Sequence, residues 1–285
     1  MEWMSRFNEA LGYIEAHLDT DIHYEKAARN ACCSTFHFQR MFTYIVGVPL
    51  SEYIRRRRLT LAAFDLQRTD DKIIDIALKY GYESPTAFTR AFQNIHGLSP
   101  SAAKKQGALV KAFPKISLQI MVKGDVEMNY KIEKKAGFRI IGVKKHFSAS
   151  VDESFTQVPL FWQKTLQSGI VSGILACINR EPYGLLGVCT ALDGQDFDYY
   201  IAAASTAPTP KQLVDYDIPE CTWAIFECIG AMPHAIQQLQ KRIITEWLPT
   251  SGYEYADAPD IEVYFEGDQQ SPDYHCEVWL PIRKS

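Results

Sequence analysis

Arg40 and Arg90 stand at matching places in two similar stretches of chain. An arginine fork can meet O6 and N7 of a guanine together, which suits it to reading a base pair through the major groove. Beside them are Gln39, which can serve adenine in the same way, and Thr43, Thr86 and Thr89, whose methyls can meet thymine. Phe36 and Pro85 add apolar contacts to bases or sugars. A solvated helix face accounts for any one of these residues; an arginine at the same place in both copies points to recognition.

A second group with chemical potential lies near the carboxyl terminus. Glu262, Tyr264 and Glu266 alternate with Ile261, Val263 and Phe265, and Glu277 and Trp279 alternate with Cys276, Val278 and Leu280. Strand residues alternate faces. The expectation is therefore an apolar set beneath helices and a second face joining carboxylates to aromatic rings. Trp223, Tyr183, Tyr199, Tyr200, Phe161 and Trp162 are candidate walls. Such a surface suits flat or cationic organic ligands through stacking, cation–π contact and charge. The bland alternative is a half-solvated sheet face.

Little else reads as chemistry. His146, His234 and His275 are isolated, with no GxSxG or HExxH pattern near them. The seven cysteines, odd in number and without CxxC spacing, read as small buried residues of a reducing compartment, not as a disulfide framework or zinc site. No catalytic residue, metal or cofactor is expected.

The elements that must position these residues begin with a repeat. Ala27, Ser34, Phe38, Arg40, Phe42, Ile45 and Gly47 recur as Ala77, Ser84, Phe88, Arg90, Phe92, Ile95 and Gly97. Each copy reads as helix, tight turn, helix, with serine opening the second helix and glycine closing it. Apolar spacing from Trp3 to Leu18 predicts a first helix, Tyr24–Ala31 a second, and Ser34 to Val46 a third. Pro49 starts a long helix to about Gln67, and Ser99-Pro100 opens a short final one. Four consecutive arginines on the long helix point in different directions, so at most two, here Arg55 and Arg58, are expected to meet phosphate.

Residues 104–127 read as a boundary, with an alternating stretch from Ile116 to Val122 that suits a strand. Beyond it strand candidates fall at 129–135, 138–147, 183–190, 197–205, 213–217, 221–229, 260–266 and 274–281, with helices near 153–168 and 232–248. The order strand, helix, paired strands occurs twice. The fold class expected is multidomain: an all-α tandem helix-turn-helix domain over 1–106, a linker over 107–127, and an α+β domain with a mainly antiparallel sheet over 128–285.

The chain of 285 residues carries a net charge of −4, divided as +2 over residues 1–106 and −6 over the rest. A local basic face matters more for a polyanionic partner than this sum. No apolar run approaches the roughly 18 residues of a membrane-spanning helix. The amino terminus lacks the regions of a signal peptide, so no membrane partner and a cytoplasmic location are expected.

IIDIALKYGYESPTAFTRAFQNIHGLSPSAAKK resembles the signature of the AraC/XylS family of transcription regulators, and SEYIRRRRLTLAA resembles its linker helix. The resemblance implies two reading heads on a rigid helix, entering major-groove segments about one turn, roughly 34 Å, apart on double-stranded DNA. It places base reading at Phe36, Gln39 and Arg40, then Pro85, Thr86 and Arg90, with poorer readout at Pro85, which cannot donate. The two heads differ, so an asymmetric site is expected.

The carboxyl-terminal stretch, best in its EVY…EVWLPI ending, resembles GyrI-like effector-binding domains of Rob-like regulators. That resemblance implies a small aromatic or cationic effector held by a central glutamate among aromatics. Glu277 is the first counterpart and Glu262 the second, with Tyr264, Trp279 and Trp223 around them. It implies a regulator and no enzyme, with RNA polymerase a further partner. The alternatives are a GyrI-like hydrolase of a reactive small molecule and a protein-interaction module.

Overall fold

The computed structural model describes residues 2–118, 127–147, 151–191 and 196–284. The helical domain runs α1 (Glu2–Ala16), α2 (Tyr24–Asn30), α3 (Thr35–Val46), α4 (Leu50–Arg68), α5 (Ile73–Lys79), α6 (Pro85–His96) and α7 (Pro100–Ala103). Its local signals act as the sequence predicts. Ser34 Oγ accepts from the His37 amide and Ser84 Oγ from the Ala87 amide, satisfying orphan donors of α3 and α6. Gly47 and Gly97 end those helices with φ of 77° and 81°, a left-handed conformation that glycine adopts without crowding.

The repeat carries one offset that the aligned residues conceal. The turn amide of Tyr82 donates to Ala77, whereas its equivalent in the first unit, Cys33, donates to Ala28 and not to Ala27. The left-handed turn position is Gly81, φ 81°, in the second unit and Cys32, φ 53°, in the first. The first turn is therefore one residue shorter before its capping serine.

Helix α4 joins the units through buried chemistry. Arg57 pairs with Glu15 at 2.7 Å and donates to the Phe113 carbonyl. Arg58 donates to the Leu18 and Thr20 carbonyls beyond the end of α1, and its guanidinium lies over Gly81. Residues 116–118 of the expected linker strand are irregular, tied by reciprocal bonds between Asn8 and Leu118; 119–122 lie outside the described residues.

The second domain contains β1 (Tyr130–Lys135), β2 (Phe138–Phe147), α8 (Val151–Gln167), α9 (Ile170–Leu175), β3 (Leu185–Ala191), β4 (Phe197–Ala204), β5 (Val214–Ile218), β6 (Cys221–Ile229), α10 (His234–Arg242), a π-helical turn Ile243–Trp247, α11 (Leu248–Ser251), β7 (Tyr253–Tyr255), β8 (Asp260–Tyr264) and β9 (His275–Lys284). Every strand pairing is antiparallel, in the order β1-β6-β9-β8-β3-β4-β2-β5, with β7 also on β9. The expected strands and both expected helices are present; α9 and β7 are additions, too short to show a period.

Pairing of β8 with β9 overturns one expectation. Ile261 lies opposite Trp279, Glu262 opposite Val278, Val263 opposite Glu277 and Tyr264 opposite Cys276. Directly opposed residues share a face, and a slip of one residue exchanges all of them. Glu262 and Tyr264 therefore join Cys276, Val278 and Leu280 on the face beneath the helices. Glu277, Trp279 and Trp223 lie on the other face with Ile261 and Val263, where the sheet curls until Phe138 and Trp279 meet at 6.5 Å between ring centroids. The helix-covered face shares one core with the first helix-turn-helix unit: Phe7, Phe38 and Phe42 belong to the same buried cluster as Phe226, Ile244 and Val278.

Candidate ligand pocket and DNA-reading helices

The two second helices of the helix-turn-helix units have the same cap and stop and opposite surroundings. On α6, Phe88 and Phe92 are buried, while Pro85, Thr86, Arg90 and Gln93 are exposed and Thr89 is half-buried. On α3, Phe38, Met41 and Phe42 fill the corresponding core positions, but the outward face is covered as well. Phe36 and Gln39 are each only 3% exposed. Phe36 packs on Phe197 with centroids 4.8 Å apart, and His37 stacks on Tyr255 at 4.2 Å. Arg40 Nη1 reaches Asp260 Oδ2 at 2.5 Å. Burial works to raise the Asp260 pKa, but the His37 and Arg40 charges prevail and hold it below the ordinary aspartate value. Thr43 turns back on its own helix, donating to the Gln39 carbonyl.

Beside this contact lies a cavity of about 140 Å³ over the central strands of the sheet. Its centre is Glu262 on β8. Tyr199 and Tyr264 donate to Oε2 at 2.9 and 3.0 Å, and Gln240 of α10 donates to Oε1 at 2.6 Å. Trp162 of α8 donates its indole N–H to the Tyr199 oxygen at 3.0 Å and packs edge-on to Tyr264. Burial first, and then the Glu262 charge, push both tyrosine hydroxyls well above their ordinary pKa, so both remain donors. Gly187, opposite Glu262 in the β3–β8 ladder, makes room for this cluster: a Cβ there would fall 2.2 Å from the Tyr199 oxygen and 2.8 Å from Glu262 Oε2. A carboxylate among ring faces with an open apolar mouth can hold an organic cation by charge and cation–π attraction.

Comparison with known proteins bears on both parts. Residues 128–283 match the family described as the GyrI-like small molecule binding domain, and residues 27–106 match a helix-turn-helix domain. The chain is 30% identical to the right origin-binding protein of Escherichia coli K12, over all of both chains. It belongs to the AraC-type regulators with a GyrI-like domain. Over 34% of its length it is 43% identical to the HTH-type transcriptional activator AarP of Providencia stuartii, covering 72% of that protein. A solved structure of SAV2435 bound to tetraphenylphosphonium superposes with a TM-score of 0.51 at 24% identity, covering 55% of this chain and 94% of that one, which supports the fold of the sheet domain.

In this GyrI-like regulator the acidic pocket gathers around the second-ranked glutamate. Glu277, the first counterpart, lies away from this cavity: it accepts from the Trp279 indole at 2.7 Å on the opposite face of the sheet, near Lys131 and Glu227. Trp279 and Trp223 are buried on that face and line no part of the Glu262 cavity. Of the candidate walls, Tyr199 and Trp162 line it; Tyr200 packs on the far face, Phe161 packs in the same cluster as Tyr199 without lining the cavity, and Tyr183 is exposed. The cause is the one-residue register difference between β8 and β9.

On the helical side, the GyrI-like regulator holds Phe36, Gln39 and Arg40 in a contact between domains and not on an open surface. Arg58, expected on phosphate, has its guanidinium engaged by two carbonyls; Arg55 pairs with Glu52 at 2.7 Å and keeps 40% of its side chain exposed. Asp260, Gln240 and Gly187 went unnoticed in the sequence. Gln240 sits among Gln237, Gln238 and Lys241, a run that reads as solvent-facing. Gly187 breaks an apolar strand, the pattern that marks a close approach, and was the one available signal.

Proposed function

We propose that this DNA-binding transcription regulator senses an aromatic organic cation at Glu262 and reads an asymmetric DNA site through two unlike heads. The observation that carries the sensing is the half-buried Glu262 carboxylate, ringed by Tyr199, Tyr264 and Trp162 and facing a cavity. Its acceptors are oriented by three donors, and its walls are π faces suited to a delocalised charge. The binding of tetraphenylphosphonium by SAV2435, a protein sharing the sheet fold, is in keeping with that ligand class. For DNA, the exposed Pro85, Thr86 and Arg90 form one head and Phe36, Gln39 and Arg40 the other, with Thr43 and Thr89 flanking and Arg55 on phosphate. RNA polymerase is a fitting partner, because the relative AarP is named an activator.

Calorimetric titration with tetraphenylphosphonium tests the pocket. Glu262→Gln should weaken binding about tenfold or more, since a charged acceptor is replaced by a neutral one, while Glu277→Gln should bind as wild type. Equal loss in both, or loss only in the second, would move the site to the other face of the sheet.

A further inference from the structure

The cavity is walled by both domains. The helical domain contributes Phe36, Arg40 and Tyr44, all from α3 and therefore from the face assigned to base reading. Two links join that face to the pocket carboxylate. Tyr44 donates to Gln240 Oε1 at 2.6 Å, and the same Gln240 side chain donates to Glu262 Oε1 at 2.6 Å. Arg40 pairs with Asp260, two positions before Glu262 on β8. One side chain separates the reading helix from the group that meets the ligand.

The space is too small for the ligand class. Sites for drug-sized molecules have roughly 300–1,000 Å³, against about 140 Å³ here. Something must retreat. The floor cannot do so readily, because β8 is laddered on both sides, to β3 and to β9. The α3 wall is held by side chains, and held imperfectly. Among the described residues, Gln39 Nε2 is buried in this contact without a hydrogen-bond partner. His37 Nε2 and Asp260 Oδ1 meet only at the long distance of 3.4 Å. A buried amide left without a partner opposes the closed arrangement, and in a DNA groove Gln39 would find base partners.

We propose that an aromatic cation entering the Glu262 pocket expels α3, so that the empty pocket holds the first reading head shut and the filled pocket releases it. This rests on the ligand class assigned to Glu262. Two effects give the direction. A cation at Glu262 competes with Gln240 for the carboxylate, breaking the link to Tyr44. It also sets a second positive charge beside Arg40. The ligand thus has different affinity for the closed and open states, the condition for any shift between them. Closed molecules bind DNA with one head, and apparent affinity falls with the fraction that is open.

The test uses the full-length chain, a duplex selected from a random-sequence pool, and tetraphenylphosphonium as probe. Asp260→Asn weakens the contact from the sensor side without touching DNA. It should raise DNA affinity about tenfold without probe, as the open fraction grows, and reduce stimulation by the probe to match. Tyr44→Phe, a smaller change of similar shape, should act in the same direction. In wild type the probe should speed amide exchange across residues 35–46 and leave 85–96 unchanged. Wild-type DNA affinity in both variants overturns the latch, as does protection of α3 by bound probe. Probe that binds by calorimetry without raising DNA affinity overturns the expulsion and leaves the pocket standing. Failure of the probe to bind counts against the pocket, and the two variants then decide on the latch alone.

Discussion

Helices α3 and α6 are twelve residues each, with the same serine cap, the same terminal glycine conformation and phenylalanines at the same core positions. What differs is the other half of each cylinder. Position for position, Phe36 stands where the second unit has Thr86, and Tyr44 where it has Asn94. A helix with an apolar stripe on one side faces one core. Helix α6 has that pattern and exposes the rest; α3 has aromatic residues on both sides and is held between two domains. Duplication thus kept the inner face, which the fold requires, and left the outer face free to acquire a second partner. A reading surface with extra aromatic residues is the mark of a helix that also packs against protein.

The largest effects should be equal in the two units, and they sharpen the contrast by showing where it stops. Phe38→Ala and Phe88→Ala each empty a fully buried site and should cost about 3–5 kcal/mol in denaturant unfolding. The outer faces should then part. Phe36→Ala removes the contact with Phe197 and should cost about 3 kcal/mol, whereas Thr86→Ala, exposed, should stay within about 0.5 kcal/mol. Equal outer-face costs would mean that α3 is free in solution and the comparison fails.

DNA binding should separate the arginines next. Arg90→Ala should weaken specific binding by about 1–3 kcal/mol, with or without tetraphenylphosphonium. Arg40→Ala should show a loss of that size only with the probe present; without it the substitution also removes the pair with Asp260, so the opening of α3 offsets the lost contact. A probe-independent loss at Arg40 would show that α3 reads DNA in the resting protein.

Helices, caps and most strands were legible because each is written in local spacing. The two reading heads could be aligned residue by residue, and Glu262 and Tyr264 could be named. Which glutamate faces the pocket was not legible, since it depends on how β8 registers against β9, a choice made by the curl of the whole sheet. The burial of Phe36 and His37 was hidden for a similar reason: their partners Phe197 and Tyr255 are remote in sequence. Gln240 reads as solvent-facing until α3 covers it. Local periodicity reports which face is apolar, and long-range pairing decides what that face meets.

The smallest expected effect concerns the shorter turn. Cys32 holds φ 53° where the second unit has Gly81 at 81°. A side chain in the left-handed region costs roughly 1–2 kcal/mol, because its Cβ crowds the following carbonyl; glycine is relieved of that crowding but loses more backbone entropy on folding. The balance predicts that Cys32→Gly stabilises the chain by about 0.5–1 kcal/mol in denaturant unfolding. Gly81→Ala should do the reverse by a larger amount, since it adds the same crowding and also brings a Cβ to 3.0 Å from the Arg58 guanidinium. If Cys32→Gly is instead destabilising, the thiol contributes packing at the domain contact that outweighs its backbone, and the first turn would be shaped by the sensor domain as the outer face of α3 is.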